Sequence, residues 1–253
     1  MEIISAILIS LAINGLLFAV AYKLQTDKLT DFSYSFSFVV VSLYAFSTSS
    51  RQFGMMVILT LVLIWAARLG AYLVMRIRRI GRDKRFDGRR ENFRQFASFW
   101  LGQAISVPII LLPVLLFFSK NITSITYISV AGLAVWLLGL VIESLADYQK
   151  FQFAVLPENR GRWIDSGLWS YSRHPNYLGE ILVWAGVYIF AASNLTAAES
   201  LLALISPIFI TILLRYVSGV PLLEKAADKK WGNSDSYQKY RLQTGLILPK
   251  ILH

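Results

Sequence analysis

Long apolar runs recur along this chain and are separated by shorter polar segments. Seven of the runs approach the roughly 20 residues that a helix needs to cross the hydrocarbon of a bilayer. The second run is the weakest, because it is short and rich in serine. The runs lie near residues 3–22, 33–48, 54–75, 98–118, 124–146, 177–195 and 200–218. The pattern predicts an all-α, polytopic membrane bundle of about seven transmembrane helices.

Composition supports a membrane protein and excludes several kinds of site. Of the 253 residues, 56% are hydrophobic and only 16% are charged, a balance that soluble domains do not show. Cysteine is absent, which excludes disulfides, thiol nucleophiles and cysteine-based metal sites. With two histidines, one of them the last residue, we predict no metal site.

The basic residues fall on alternate loops. They concentrate in residues 76–97, in the loop before the sixth run and in the tail after residue 218. Since cytoplasmic loops carry the excess of Lys and Arg, we expect the N-terminus outside and the C-terminus in the cytoplasm. The net charge of +10 then reflects topology and contact with membrane lipids rather than a nucleic-acid partner. We expect a multi-pass protein of a bacterial inner (cell) membrane, and the sequence identifies no protein partner.

One stretch, residues 167–180, combines many polar side chains directly before the sixth apolar run. Pro175 disfavours helix at His174 and suits the first turn of a helix that begins there. Asn176 and Glu180 are four residues apart, so they share one face of that helix. A carboxylate at this position is costly in lipid, and we interpret the stretch as a functional site. The alternative is an interfacial belt of aromatic rings with Arg173 and His174 as topology markers.

Further ionisable residues lie inside or at the ends of other runs. Arg68 lies within the third run, Glu143 and Asp147 end the fifth, and Arg215 ends the seventh. Such groups can pair as structural links between helices, or they can line a cavity open to the cytoplasm. Cations suit phosphates, and carboxylates and amides suit ribose hydroxyls, so a dinucleotide fits this inventory. Because the chain has no glycine-rich phosphate loop, side chains would have to hold it.

The stretch Gly-Leu-Trp-Ser-Tyr-Ser-Arg-His-Pro-Asn-Tyr-Leu-Gly-Glu at 167–180, followed by Trp184 and Gly186, resembles the signature of the DUF1295 family. That family belongs with the steroid 5-alpha-reductase C-terminal group and the sterol reductases. Residues 65–72, 82–86, 146–150 and 237–249, together with Gln103, agree with the same pattern. The resemblance covers nearly the whole chain, and its most specific part is 165–186.

The resemblance implies a single membrane-embedded domain, 1–253, that uses NADPH to reduce a carbon–carbon double bond conjugated to a ketone. The substrate would be a steroid-like or other lipid. Residues 1–97 would form the substrate side and residues 98–253 the cofactor-binding half. The cofactor residues carried over or added as neighbours are Arg68, Asp147, Arg173, His174, Asn176, Tyr177, Glu180, Glu224, Lys225 and Tyr240.

The substrate half departs from the steroid reductases. Trp65 stands where those enzymes have a tyrosine, three residues before Arg68, and no Gln-Glu pair precedes it. Asp31 and Tyr34 offer an acid and a hydroxyl in about the same region, and we predict them as catalytic residues. Tyr34 would donate to the substrate carbonyl oxygen, where enolate charge develops, and Asp31 would orient it or set its pKa.

Two alternatives share part of this signature. Isoprenylcysteine and phospholipid methyltransferases, which use S-adenosylmethionine, are similar around the Arg-His-Pro stretch and in an aromatic-Gly…Tyr…Tyr tail. This chain has Trp231, Tyr237 and Tyr240 but only Glu224-Lys225 where a Glu-Glu pair is expected. Asp147, Asn176 and Glu180 favour the reductase. A non-enzymatic sterol or lipid binder is the third interpretation.

Overall fold

A computed structural model describes residues 2–80, 86–120 and 123–250, and the described chain is helical, without a named β-strand. The all-α prediction is therefore confirmed. The basic residues 82, 84 and 85, and with them most of the predicted 82–86 motif, lie outside the described residues. The α-helices are α1 (Glu2–Lys23), α2 (Lys28–Ser47), α3 (Phe53–Ile80), α4 (Phe93–Ile110), α5 (Leu112–Phe118), α6 (Tyr127–Val155), α7 (Pro175–Ala192), α8 (Ala197–Ala203), α9 (Ile205–Ile212), α10 (Val220–Trp231) and α11 (Asp235–Gln243).

The helices are long and apolar enough for a multi-pass membrane protein. Five spans qualify within the described residues, or six if the bent pair α4–α5 is one span. The predicted seven spans are not confirmed, because α7 does not qualify. Its first turns contain Pro175, Asn176 and Glu180, which lower its hydropathy. The orientation across the membrane and the kind of membrane stay predictions.

Proline explains the 47° bend between α4 and α5. Pro108 lies inside α4 and has no N–H for the carbonyl of Ala104, four residues earlier. The hydroxyl of Ser10 on α1 donates to that carbonyl at 2.7 Å and so satisfies it. At the bend itself, the hydroxyl of Ser206 donates to the carbonyl of Ile110 at 2.6 Å. The backbone groups released by the bend thus find side-chain donors, as they must in lipid.

The chain divides into two compact units, and the first comprises Met1–Val130 and Val187–Ser206. Buried polar side chains connect its helices. Gln103 on α4 donates to the carbonyl of Thr30 at 2.8 Å and to the hydroxyl of Ser33 at 2.9 Å. Asn14 on α1 donates to the hydroxyl of Ser37 at 3.0 Å. These bonds give Ser33 and Ser37 of the second run an interhelical role, since small residues and interhelical hydrogen bonds hold membrane helices together.

The second unit comprises Ala131–Gly186 and Pro207–His253. Within it, α6 and α7 approach each other so closely that three glycines are required. A Cβ atom on Gly139, Gly179 or Gly186 would lie 2.4 to 2.6 Å from a backbone nitrogen of the facing helix. Such contact fixes the register of α7 against α6 and therefore positions the start of α7. The predicted division into 1–97 and 98–253 concerns function, and it stays a prediction.

Candidate functional site

The stretch before α7 is attached to α6. Gly167 has a positive φ of 62° and opens a 3₁₀ turn, Gly167–Ser170. A side chain there would overlap Gln149, whose Oε1 accepts from the N–H of Leu168 at 3.0 Å. The indole N–H of Trp169 donates to the carbonyl of Ala146 at 3.1 Å. Glycine at this turn therefore lets the stretch lie directly on α6.

Residues near the end of the described chain form hydrogen bonds with the stretch before α7. We call residues 240–250 the C-terminal strap. Ser172 and Gly245 form a parallel β-bridge. Two backbone hydrogen bonds form this bridge. The N–H of Gly245 donates to the carbonyl of Tyr171 at 3.1 Å, and the N–H of Arg173 donates to the carbonyl of Gly245 at 2.8 Å. The hydroxyl of Ser172 donates to the carbonyl of Ile247 at 2.8 Å.

A charged cluster lies where the strap, α10 and the start of α7 converge. Glu224 on α10 accepts from Arg173 through both carboxylate oxygens, at 3.2 and 3.1 Å, and lies 2.9 Å from Nε2 of His174. The same guanidinium donates to the carbonyls of Arg241 at 2.9 Å and Thr244 at 3.2 Å. Arg173 is thus both an ion-pair partner and an anchor of the strap.

His174 is neutral in this setting. Burial lowers its pKa below the ordinary value of 6.5, and the hydrogen bond and charge of Glu224 act in the opposite direction. Since Glu224 accepts, a neutral ring places its proton on Nε2. Nδ1 is then an acceptor, and it has no hydrogen-bond partner among the described residues. The ring stacks on Tyr177, with ring centroids 5.4 Å apart.

Beside this cluster lies a cavity of about 380 Å³, within the size range of small-molecule sites. Among the described residues its lining includes four cationic side chains, one carboxylate and five Trp or Tyr rings. Phe153 is a sixth aromatic residue of the lining. The charged residues are Lys150, Arg162, Arg173, Lys230 and Glu224; the five rings are Trp163, Trp169, Trp231, Tyr237 and Tyr240. Arg173 is paired with Glu224, and Arg162 and Lys230 add positive charge to the lining.

One wall of the cavity is aromatic. The ring of Trp163 lies 5.9 Å from Trp231, 5.1 Å from Tyr237 and 6.3 Å from Tyr240, centroid to centroid. The indole N–H of Trp231 donates to the carbonyl of Gly161 at 2.5 Å. Burial raises the pKa of both tyrosines, so their hydroxyls stay protonated at neutral pH. The hydroxyl of Tyr240 donates to the carbonyl of Trp169 at 2.8 Å, so the wall offers a ligand mainly aromatic surface on which a planar ring can stack.

A family model described as "Protein of unknown function (DUF1295)" matches residues 17–244. This chain belongs to the DUF1295 family. The resemblance identified from residues 167–186 is thereby confirmed. A stretch of 102 residues is 30% identical to an uncharacterized protein of Schizosaccharomyces pombe, covering 40% of this chain and 28% of that protein. The match thus spans little more than a quarter of the relative's length. No solved structure matches the chain significantly.

The predicted cofactor residues of this DUF1295 protein fall into two groups within the second unit. Four of them line the cavity: Arg173, His174, Glu224 and Tyr240. The others in this unit lie beside the lining. The amide of Asn176 donates to Asp147 at 3.2 Å across the α6–α7 contact, Tyr177 stacks on His174, Glu180 is half-buried, and Lys225 is exposed.

The remaining predicted residues belong to the first unit. Asp31 pairs with Arg76 at 2.8 Å, and Tyr34 is half-buried one turn further along α2. The guanidinium of Arg68 lies 5.8 Å from the ring centroid of Tyr72 on the same helix. The catalytic roles of Asp31 and Tyr34, and a cofactor role for Arg68, stay predictions.

Sequence reasoning missed several lining residues of this DUF1295 cavity. Arg162 and Lys230 counted only as topology charges, Lys150 counted as one of them and as the end of the family pattern 146–150, and Trp163 was not singled out. Trp231 was noted only in the aromatic tail that resembles the methyltransferases, and it contributes one of the five Trp and Tyr rings of the lining.

Proposed function

We propose that this DUF1295 protein is an integral membrane oxidoreductase that uses NADPH to reduce a C=C bond conjugated to a ketone in a lipid or steroid-like substrate. The observation that carries the proposal is the cationic, aromatic cavity beside the Arg173–His174 pair. Four predicted cofactor residues line it, and they come from segments far apart in the sequence.

The residues of the cavity match the chemistry of NADPH. Lys150, Arg162 and Lys230 would bind its phosphates, because the chain has no phosphate loop of backbone amides. The rings of Trp163 and Trp231 offer surfaces on which adenine can stack. The pair of buried Asp147 and half-buried Asn176 lies outside the lining, and we infer that it holds α7 in place.

Charge separates the two candidate cofactors. NADPH carries three phosphate groups and is strongly anionic, whereas S-adenosylmethionine carries a sulfonium cation. Lys150, Arg162 and Lys230 would attract the first and repel the second, and the one lining carboxylate, Glu224, is already paired with Arg173. The cavity therefore supports the reductase over the methyltransferase.

NADPH, when bound, supplies the hydride for the β-carbon of the enone. The chain's own residues would supply the rest. Tyr34 would donate a hydrogen bond to the substrate carbonyl oxygen, and this bond would strengthen as enolate charge develops there. The enolate would then take up one proton from water at the α-carbon, which completes the reduction. Asp31, held by Arg76 at 2.8 Å, would orient the hydroxyl.

The test is ligand binding to the full chain in detergent. NADPH should raise the melting temperature, since a ligand that binds only the folded state stabilises it, and S-adenosylmethionine should have little effect. The variant Arg162→Gln/Lys230→Gln should bind NADPH at least about tenfold more weakly, because hydrogen bonds to charged groups contribute roughly 1.5–3 kcal/mol. Lys229→Gln is the matched control, being exposed on the same helix and absent from the lining.

Other results would redirect the assignment. Stabilisation by S-adenosylmethionine without a response to NADPH would favour the methyltransferase. A response to sterols alone would favour the non-enzymatic binder. Equal loss of NADPH affinity in Lys229→Gln and in the double variant would refute the cavity as the cofactor site.

A further inference from the structure

The C-terminal strap exposes apolar side chains in a polar part of the chain. Leu242 and Leu248 are each 73% exposed, and Tyr171, to which the strap is bonded, is 48% exposed. The ammonium of Lys250 donates to the carbonyl of Leu242 at 2.6 Å, and the backbone N–H of Lys250 donates to the carbonyl of Tyr171 at 3.0 Å. Since Leu248 is two residues before Lys250, these exposed residues are neighbours. We call Tyr171, Leu242, Leu248 and Lys250 the strap patch.

A hydrogen bond to α6, a candidate membrane span, indicates the depth of the strap patch. The indole N–H of Trp169, two residues before Tyr171, donates to the carbonyl of Ala146 at 3.1 Å. Ala146 is the twentieth residue of α6, and the polar residues of this helix begin directly after it, at Asp147. Because a helix crosses the hydrocarbon in about 20 residues, Ala146 lies where hydrocarbon meets headgroups. The strap patch therefore lies near the level of the headgroups.

The charge of the same segment is complementary to an anionic surface. Residues 236–250 contain three cations and no carboxylate. Arg241 is paired with Asp228 at 2.5 Å, whereas the side chains of Lys239 and Lys250 are exposed. Leucines beside lysines are typical of segments in the membrane interface, because leucine enters the acyl boundary while the ammonium group stays among the headgroups.

We propose that the strap patch docks on the headgroup region of an anionic phospholipid bilayer. Leu242 and Leu248 enter the acyl boundary, and Lys239 and Lys250 bind lipid phosphates. The basic loops predict that this end of α6 is cytoplasmic, the side on which the membrane surface is negatively charged. The proposal rests on the strap and α6 alone, and it holds whether or not the cavity binds NADPH.

The test measures the depth of the strap in vesicles. The full chain has no cysteine, so Leu242→Cys and Leu248→Cys can each carry a single bimane label. Asn233→Cys is the control, because it is exposed in the polar turn between α10 and α11. In vesicles of phosphatidylcholine with about one third phosphatidylglycerol, a phospholipid spin-labelled near the headgroup end of its acyl chain should quench positions 242 and 248 at least about twofold more than position 233.

The same labels test the role of charge. In phosphatidylcholine alone, the excess quenching at the two strap positions should fall, because each lysine contributes about fivefold to docking on an anionic surface. Lys239→Gln/Lys250→Gln should lower it likewise in the anionic vesicles. Lys225→Gln/Lys229→Gln removes the same charge from exposed positions of α10 and should have a much smaller effect. High salt should act like the strap substitutions on the parent chain, since it screens exposed charges.

Three results would overturn the proposal. Quenching at position 242 or 248 that does not exceed the value at 233 would show that the strap does not dock on the bilayer. Equal quenching in the two lipid compositions would refute the choice of an anionic surface. An equal fall in both double variants would refute the role of the strap lysines.

Discussion

The anchoring role of Arg173 predicts a large loss of stability when its guanidinium is removed. Arg173→Met keeps the length of the side chain and removes its charge and its four contacts. Two of these are to Glu224, at 3.2 and 3.1 Å, and two are to the strap carbonyls of Arg241 and Thr244, at 2.9 and 3.2 Å. The side chains of Arg173 and Glu224 are only 14% and 19% exposed, so solvent screens the pair little.

The magnitude follows from these contacts. Removing one partner of a buried ion pair costs about 3–5 kcal/mol, because the other charge is left in a poorly solvated place. For a chain of this size, each kcal/mol lowers the melting temperature by about 2–4 °C, so a fall of about 6–20 °C is expected. Glu224→Leu in the Arg173→Met background should recover part of the loss, since it removes the stranded carboxylate.

The assay is thermal melting in detergent, with limited proteolysis as a second readout. Arg173→Met should expose the strap, residues 240–250, to cleavage well below the melting temperature. Arg162→Met is the matched control: it lines the same cavity but is exposed, and its melting temperature should change by less than about 2 °C. A parent-like melting temperature for Arg173→Met, with the strap still protected, would refute the anchoring role.

Three further predictions concern packing, pH and topology. Gly186→Ala should lower the free energy of unfolding by at least about 1–3 kcal/mol, because its Cβ would lie 2.4 Å from the backbone nitrogen of Trp136. Gly102→Ala is the control and should leave the free energy of unfolding unchanged, since its Cβ would meet no other atom within 4 Å. Melting temperatures of the two variants are the measurement. Because burial lowers the pKa of His174, the unfolded chain binds more protons below pH 6.5. Stability should therefore decline as the pH falls through that region, and His174→Gln should reduce the decline measured by melting. A single cysteine at Gly88 should resist an impermeant thiol reagent in intact cells, and rapid labelling would reverse the predicted orientation.

The local features of this fold were predictable from sequence because they depend on neighbouring residues. Pro175 identified the start of α7 to the residue, and apolar runs located α1, α2 and α3 to within about five residues. The run at 124–146 located the start of α6, but the helix continues to Val155, because its last two turns are polar. The serine-rich second run was predicted to be the weakest span, and α2 qualifies as a candidate membrane span. Its serines lower hydropathy, yet they form hydrogen bonds to α1 and α4 that sequence periodicity does not reveal.

The cavity was harder to predict because its lining comes from segments far apart in the sequence. Arg173 and Glu224 are 51 positions apart, and nothing local to either residue indicates the pairing. Lys230 and Arg162 looked like ordinary loop charges for the same reason. Asn14 lies inside an apolar run, where a single amide hardly changes the hydropathy, so the sequence does not reveal its hydrogen bond to Ser37 on α2.

The strap has a consequence for how the protein is made. Tyr240 donates to Trp169 at 2.8 Å over 71 positions, and Ser172 donates to Ile247 over 75. At about 5–20 residues per second, a ribosome needs roughly 4–14 s to synthesise the intervening chain. Arg173 lacks Glu224 until 51 further residues have been synthesised, and it lacks the strap until the end of the interval. The rate of translation between positions 173 and 247 therefore determines the time during which Arg173 and His174 lack their native hydrogen bonds.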